Sequence, residues 1–505
     1  MTALEQRLRS LGGALPGMRR GIEKESLRVL HDGSLALTPH PLELGSPLTH
    51  PCITTDFSES QLEFVTGVHA SAASCLDELT RIHQHVHRAI GDELLWAASM
   101  PCRLPADETI PIGRYGTANI GRSKSVYRMG LAHRYGRRMQ TISGIHYNWS
   151  MPGLTSDDYF ALIRNFRRHS FLLLVLLGAS PAVCSSFVSG RQHRLEPIGT
   201  DTLHLPHATS LRMGRLGYQS DTQASLAVSY NSLDSYAASL QGALTTPHPP
   251  YEALGILNPG GEYNQLATTL LQIENEFYGT IRPKCVIRPA ERPLHALRER
   301  GVEYVEVRCL DLDPFQPIGI GEGTVAMLDV FLLHCLVSNS PPDTPEEITA
   351  LSRNQRLAAE RGREPGLCLE RNGTRVTLTE WGTELLHACT PIAATLDDLD
   401  GGRRHADALD QAAAALRNAQ RLPSARVLQA MRSEHSGSHT KCTLAASARN
   451  RQALMALPFP ASRRDEFARL ARGSLDEQGR LEATETMAFE EFRRWYLDPA
   501  RLRLP

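Results

Sequence analysis

The sequence predicts an α+β fold, with a largely antiparallel sheet followed by a helical part. Short runs of alternating apolar and polar residues, such as "ISGIHYNWSM" and "VEYVEVRCL", are typical of strands and occupy the first half of the chain. They do not alternate regularly with helical segments, which argues against a doubly wound parallel sheet. From about Gly323 onward, most segments have the periodicity of helices. We therefore expect residues 1–322 to form a sheet-and-helix core, and residues 323–505 to form a mainly helical part packed on it.

The composition excludes several kinds of partner. The 505 residues include 54 Lys and Arg against 55 Asp and Glu, and a net charge of −1 gives no footprint for nucleic acid or an anionic membrane. The ten cysteines are scattered without a Cys-x-x-Cys pair, which indicates a reducing compartment. The most apolar segment, Phe171 to Cys184, is shorter than the roughly 20 residues of a membrane span. We expect a cytoplasmic protein without nucleic-acid or membrane partners.

The stretch "GIEKESLRV", from Gly21 to Val29, is the first predicted strand with unusual charges. Because side chains alternate along a strand, Glu23 and Glu25 would share one face at a separation of about 7 Å. Two like charges this close are either solvated or held for a cation.

Further runs also concentrate polar residues on one face. The shared faces comprise His146, Asn148 and Ser150; Gln272, Glu274, Glu276 and Tyr278; and Tyr304, Glu306 and Arg308, while "TTDFSESQLEFVTG" adds Asp56, Glu59 and Glu63. A solvated sheet face usually mixes lysine, threonine, serine and glutamate. These faces carry mainly carboxylates and no lysine, although glutamate is a poor strand former. The pattern therefore favours a cation-binding face over a solvated one.

The types of ligand indicate which cation would bind. Carboxylates with one imidazole and no thiolate favour Mg²⁺ or Mn²⁺ over zinc. Several carboxylates indicate more than one hard cation, and clustered Mg²⁺ commonly bridges nucleotide phosphates. Arg308, two positions after Glu306, suits a site that holds a metal and a phosphoryl group together. The residues alone thus predict Mg²⁺-dependent phosphoryl chemistry.

Other motifs are weaker. "GTANIGRS" has the glycine spacing of a P-loop, but Arg122 stands where a P-loop has lysine, so we expect an ordinary glycine-rich loop. His83, His85 and His87 follow a helical pattern, and we expect them to be core or surface residues rather than ligands.

A series of long motifs runs in one order from about Met18 to about Gly321, with weaker similarity to about Gly402. The motifs are "RRGIEKESLRV", "SPLTHPCITTDFSESQLEFVT", "MPC", "YGTANIGRSKSVYRMGLAHRYGRRMQTISGIHYNWS", "GASPAVCSSF", "ATSLRMGRLGYQ", "LLQIENEFYGTIRPK" and "GVEYVEVRCLDLDPFQPIG". Together they resemble the glutamate–cysteine ligases of the proteobacterial type.

This resemblance implies a fold and an activity. The fold would be a curved, mainly antiparallel sheet with a concave active site and helices packed outside, similar to glutamine synthetase and the guanidino kinases. The activity would be ATP- and Mg²⁺-dependent ligation of the γ-carboxylate of L-glutamate to the amine of L-cysteine. It would proceed through γ-glutamyl phosphate, as the first step of glutathione biosynthesis. The alternative is the same chemistry with a different small amine.

The resemblance also implies roles for individual residues. Metal ligands are expected at Glu23, Glu25, Asp56, Glu63, His146 and Glu306. Arg308 would contact ATP at the transferred phosphoryl group and, with Glu306, would act in catalysis. A cysteine pocket would be walled by Tyr127, Tyr218 and Tyr278, with a further substrate contact from Arg212.

Some features of the family remain open for this chain. Glu274 and Glu276 belong to a family motif but receive no role. Met129 stands where relatives often carry an acidic residue, which leaves the amine specificity open. The expected partners are glutamate, cysteine and ATP, with glutathione as a feedback inhibitor, and we expect a monomer.

Overall fold

The computed structural model describes residues 3–101, 103–217 and 226–502. Its strands are β1 (Arg19–Val29), β2 (Ile53–Thr55), β3 (Gln61–Val65), β4 (Leu94–Leu95), β5 (Ile145–Ser150), β6 (Ala182–Cys184), β7 (Glu196–Pro197), β8 (Thr202–His204), β9 (Ile281–Lys284), β10 (Tyr304–Leu310), β11 (Cys368–Arg371) and β12 (Thr374–Thr377).

Helices make up most of the remaining described chain. They are α1 (Ala3–Ser10), α2 (Ala72–Ala89), α3 (Asn119–Tyr135), α4 (Arg137–Gln140), α5 (Ser156–Leu177), α6 (Leu233–Thr245), α7 (Pro249–Leu254), α8 (Pro293–Arg300), α9 (Glu322–Val337), α10 (Pro345–Arg361), α11 (Leu378–Asp400), α12 (Arg404–Arg417), α13 (Pro423–Glu434), α14 (His439–Ala456), α15 (Ala461–Thr484) and α16 (Phe489–Leu497). Among the helices of the described ranges, none has the length and apolar character to cross a bilayer.

Seven of the described strands form the main sheet. Six follow the order β2-β3-β1-β5-β10-β9, β4 pairs with β1, and all of these pairs are antiparallel. The predicted combination of helices with an antiparallel sheet is therefore confirmed. The register sets Glu25 opposite Glu63 and Glu23 opposite His146. Because directly opposed residues point to the same side of a sheet, the acids of neighbouring strands share one face.

The other face of the sheet is the wall of the main apolar core. Ile22, Tyr147, Trp149, Val305 and Val307 are all buried there, together with apolar residues of α5 and α9. Burying an apolar side chain of this size contributes about 1.5–3 kcal/mol. This burial determines the opposite face on which Glu23, His146 and Glu306 must lie.

One buried carboxylate ties this apolar side to the helices. Asp329 of α9 accepts hydrogen bonds from Arg20 Nε of β1 at 2.7 Å and from the Tyr147 hydroxyl of β5 at 2.8 Å. Asp329 and Arg20 also form an ion pair with 1% and 4% of their side chains exposed. The two strands that carry Glu23 and His146 are thereby fixed to one helix.

The predicted strand at "LQIENEFY" is wrong. Residues Glu274–Glu276 form a 3-10 turn, and both glutamates are buried. Glu274 pairs with Arg292 at 2.8 Å, and Glu276 pairs with Arg134 at 2.8 Å. The two carboxylates are therefore buried because each has an arginine partner, and not because they share a strand face.

The sixth strand along the sheet, β9, was not predicted because it contains Pro283. Proline lacks the N–H that an interior ladder requires, but it is tolerated at a sheet edge, which is where β9 lies. The helical pattern that carries His83, His85 and His87 is present as α2, which ends at Ala89. Gly91 adopts a φ of 58° just after it, and the chain then enters β4.

The predicted helices after residue 322 are present as α9 to α12. Farther on, two carboxylates of the charged stretch from Arg463 onward contact the backbone of the chain itself. Glu482 Oε1 accepts a hydrogen bond from the Thr117 backbone N–H at 2.8 Å, and Glu485 Oε2 accepts one from Asn119 N–H at 3.0 Å. These N–H groups of "GTANIGRS" therefore bind carboxylates of the chain itself.

Candidate active site

The polar face of the main sheet borders a cavity of about 340 Å³. The structure brings together in its lining all six residues named above as metal ligands: Glu23, Glu25, Asp56, Glu63, His146 and Glu306. They come from β1, β3, β5 and β10, which are adjacent, and from the turn after β2. The strand register converts a local alternation in each sequence run into one continuous acidic surface.

Two groups of side chains within this lining could each hold a cation. Glu23, His146 and Glu306 form one group, and Glu25, Glu63 and His146 form the other, with ligand atoms in each group within 4.8 Å of one another. Asp56 lines the cavity without belonging to either group.

His146 lies between the two groups. Its Nδ1 is 3.1 Å from Glu23 Oε2, and its Nε2 is 3.6 Å from Glu25 Oε1. Burial and the neighbouring Arg308 lower the pKa of His146, which favours the neutral ring. Since a neutral imidazole has a single acceptor nitrogen, His146 can be a ligand for one of the two groups at a time.

The charges of the second group fit a divalent cation. Burial and repulsion from Asp56 raise the pKa of Glu25 to about 8, and the same two causes raise the pKa of Glu63 well above its usual value. Both shifts show that the neighbouring residues supply too little positive charge to offset the negative charge of these carboxylates. Oxygen ligands with one imidazole are a donor set that Mg²⁺ or Mn²⁺ accepts.

Glu306 has a different environment. Only 1% of its side chain is exposed, and it lies 2.9 Å from Arg308 Nη1, 3.1 Å from Lys284 Nζ and 4.0 Å from Arg282 Nη1. Burial alone would raise the pKa of Glu306, but Lys284 and Arg308 hold it well below its usual value. A carboxylate surrounded by several donors suits a place where a metal and a phosphoryl group meet.

Lys284 and Arg282 were missed from the sequence. Both line the cavity, and β9 places Arg282 directly opposite Glu306. The alternation in "IRPK" was the available signal, because it sets the arginine and the lysine on one face. The proline between them argued against a strand, because proline is rare inside strands.

A helical wall faces the acids. Lys124, Tyr127, Arg128 and Leu131 of α3 line the cavity, and their spacing places them along one side of the helix. Burial and the nearby Arg128 lower the pKa of Lys124 to about 8. Of these four residues only Tyr127 was predicted, although their helical periodicity was visible in "SKSVYRMGL".

Two of the three tyrosines expected to wall the cysteine pocket lie in this cavity. Tyr127 and Tyr278 both line the cavity, and Gln140 Nε2 donates a hydrogen bond to the Tyr278 hydroxyl at 2.8 Å. Burial raises the pKa of both phenols, so both are protonated at neutral pH. Tyr218 lies outside the described residues.

Arg212 and Met129 lie elsewhere. Arg212 is buried beside Gly144 and donates a hydrogen bond to the Arg308 carbonyl at 2.9 Å. It lines a neighbouring cavity of about 460 Å³, which shares Arg308 and Tyr278 with the first. Met129 is half-buried and lines neither of these cavities.

Comparisons with known proteins point to one family. The sequence model of the glutamate–cysteine ligase family matches residues 7–358. A glutamate–cysteine ligase of Pseudomonas entomophila (strain L48) is 48% identical over 510 residues, covering 97% of this chain and 96% of the relative. That of Alcanivorax borkumensis is 44% identical over 519 residues, covering 97% of this chain and 99% of the relative.

Solved structures give the same result. The crystal structure of a glutamate–cysteine ligase from Francisella tularensis in complex with AMP has a TM-score of 0.91 and 33% identity, covering 96% of this chain and 98% of that chain. A bifunctional glutathione synthetase from Pasteurella multocida shares the fold, with a TM-score of 0.72 and 23% identity over 94% of this chain and 58% of that chain. By its sequence over nearly its whole length, this chain belongs to the glutamate–cysteine ligase family.

Proposed function

We propose that this protein joins the γ-carboxylate of L-glutamate to the amine of L-cysteine at the expense of ATP, giving γ-glutamylcysteine for glutathione biosynthesis. One observation carries the proposal: in a chain of this family, four adjacent strands and the edge strand present acids, one imidazole and three basic side chains to a single cavity. The AMP bound to the Francisella relative supports an adenine nucleotide as co-substrate. A different small amine is the alternative acceptor.

The two acidic groups are the proposed sites for Mg²⁺, or Mn²⁺. Glu23, His146 and Glu306 would hold one ion, and Glu25 and Glu63 would hold another with Asp56 beside them. Bound there, the ions would offset the repulsion between the glutamate carboxylate and the ATP phosphates. The acidic face is proposed to be the concave side of a curved sheet, as in glutamine synthetase, because helices pack on its opposite side.

The chemistry requires activation of a carboxylate. Its oxygen is a poor leaving group, so the γ-carboxylate first attacks the γ-phosphorus of ATP, which releases ADP and leaves γ-glutamyl phosphate. The amine then attacks the acyl carbon, and phosphate departs. Arg308 is proposed to donate to the transferring phosphoryl oxygens from a position already fixed by Glu306, which avoids reorganisation during transfer.

The amine must approach the acyl carbon as a neutral nucleophile. Tyr127 and Tyr278, together with Leu131 of α3, would enclose a small side chain such as a thiol. Protonated phenols are also hydrogen-bond donors, which suits the carboxylate of an amino acid.

The helical part beyond residue 322 is proposed to belong to the same folding unit as the sheet, because α9 contributes to the main core. A monomer acting in the cytoplasm, inhibited by glutathione, is proposed from the resemblance. The cysteines of the described ranges are all free thiols, which supports a reducing compartment.

A panel of amines separates the two candidate functions. With glutamate, ATP and Mg²⁺, we expect phosphate release to be fastest with cysteine. Serine, glycine and 2-aminobutyrate should be slower by about 10- to 200-fold in kcat/KM, the discrimination that a small pocket achieves. The product should have the mass of γ-glutamylcysteine. A higher kcat/KM for another amine would establish the alternative acceptor, and phosphate release without amide would refute ligation altogether.

The basic edge strand gives a second test. Lys284→Met should raise the KM for ATP about tenfold, corresponding to about 1.4 kcal/mol, because Lys284 pairs with Glu306, the same carboxylate that holds the proposed phosphoryl contact Arg308. The KM for glutamate should change little. Arg288→Met is the matched control, since Arg288 is 64% exposed and pairs only with Glu299 among the ion pairs of the described chain. An unchanged Kd for ATP in Lys284→Met, measured by calorimetry, would remove Lys284 from the nucleotide site.

A further inference from the structure

A small apolar cluster, separate from the main core, supports one wall of the cavity. Its fully buried members are Leu266, Phe489 and Phe492, so two of the three come from α16. The cavity-lining residues that belong to or pack on this cluster are Ile120, Tyr127, Leu266, Ile273 and Tyr496. The apolar side of the active site therefore rests on the C-terminal end of the chain.

Polar contacts fasten the same segment to the start of α3. Glu482 and Glu485 accept hydrogen bonds from the N–H groups of Thr117 and Asn119, and Asn119 Nδ2 donates to the Met487 carbonyl at 2.7 Å. Carboxylates at a helix N-terminus satisfy otherwise unpaired N–H groups and interact favourably with the helix dipole.

Residues 482–497 also contact Tyr263 and Leu266, which belong to the part of the cluster facing α3. Arg493 Nη1 donates to the Leu266 carbonyl at 2.5 Å, and the rings of Tyr263 and Phe489 meet edge to face at 4.9 Å. Arg292, which pairs with Glu274, donates to the Tyr496 carbonyl at 3.0 Å. Residues 482–497, named here the C-terminal clamp, thus connect two walls of the cavity.

We propose that the C-terminal clamp positions α3, and with it Tyr127, for binding of the amine substrate, with Glu485 and Phe489 as positioning residues. The inference rests on the proposed function, which assigns Tyr127 to the amine pocket. Four of the five acids, Glu23, Glu25, Glu63 and Glu306, lie on strands whose opposite face is buried in the main core. Loosening the clamp should therefore displace the tyrosine wall and leave the acidic face in place.

The test uses Glu485→Ala and Phe489→Ala. Both should raise the KM for cysteine about tenfold, and the KM for ATP should stay within about twofold, because a misplaced wall affects only the ligand that it contacts. Glu485→Gln keeps an acceptor oxygen for Asn119 N–H and should restore the wild-type KM. Glu477→Gln is the control on α15, the helix that ends just before Glu485, since Glu477 is exposed and pairs with Arg480.

Hydrogen–deuterium exchange gives a readout independent of the reaction. In Glu485→Ala, amides in the first half of α3 should exchange faster, and those of β1, β5 and β10 should not change. Unchanged exchange in α3, or a lower kcat with every KM unchanged, would overturn the inference. Absence of cysteine-dependent phosphate release in the wild type would instead overturn the proposed function, and the exchange result would still decide whether the clamp holds α3.

Discussion

Glutamine in place of Glu306 is expected to lower the kcat/KM for cysteine-dependent phosphate release by about a thousandfold, the upper range for losing one electrostatic contact to a transferring group. The amide keeps the shape of the side chain but removes its charge. One of the two cation-binding groups then loses a carboxylate, and Arg308 and Lys284 lose the anion that orients them. Steady-state phosphate release, with Mg²⁺ varied, measures both effects.

The control is Glu303→Gln, three positions away, where the carboxylate is exposed and accepts a hydrogen bond from Val286 N–H at 3.0 Å. It should leave kcat/KM unchanged. Circular dichroism and the unfolding midpoint should show that Glu306→Gln remains folded, because its shape preserves the pairing of β10 with its neighbours. A variant that retained a tenth or more of the wild-type kcat/KM would contradict the role of Glu306 as a metal ligand.

The acidic face could be predicted from sequence because it depends on local alternation. In β5 the apolar residues Ile145, Tyr147 and Trp149 point to the core, so His146 and Asn148 of the same strand must point away from it. The order of the strands and their register then complete the surface, and neither can be read from any single run. Around Ile22, β1 follows the same alternation, so the register sets Glu23 opposite His146 on the polar face.

The same rule failed for Glu274 and Glu276, because each of these buried carboxylates forms an ion pair with an arginine. Glu276 finds its partner Arg134 at a distance of 142 residues along the chain, and Glu274 finds Arg292 at a distance of 18. An alternating pattern of buried carboxylates cannot be distinguished locally from a polar strand face. Lys284 and Lys124 were missed for a related reason: Lys284 lies on an edge strand with a proline, and Lys124 lies on a helix that only tertiary packing brings to the sheet.

Alanine in place of Asp329 is expected to reduce the free energy of unfolding by about 3–5 kcal/mol, the usual cost of removing one partner of a buried ion pair. The substitution leaves the Arg20 guanidinium and the Tyr147 hydroxyl buried without their shared acceptor. Arg20 retains only its hydrogen bond to the Ala70 carbonyl at 2.8 Å among the bonds of its side chain in the described chain. Urea unfolding, followed by tryptophan fluorescence, measures the change from the shift of the midpoint at constant slope.

Two further variants distinguish charge from packing. Asp329→Asn keeps an acceptor for the Tyr147 hydroxyl, so it should cost less than Asp329→Ala. Glu370→Ala breaks a pair with Arg353 in which 37% and 46% of the side chains are exposed, and it should cost less than about 1 kcal/mol. Equal losses for Asp329→Ala and Glu370→Ala would show that the buried pair does not hold β1 and β5 to α9. Because Asp329 contacts only the core side of these strands, the folded fraction of Asp329→Ala should keep the wild-type KM for ATP, whereas Glu306→Gln stays folded and loses catalysis.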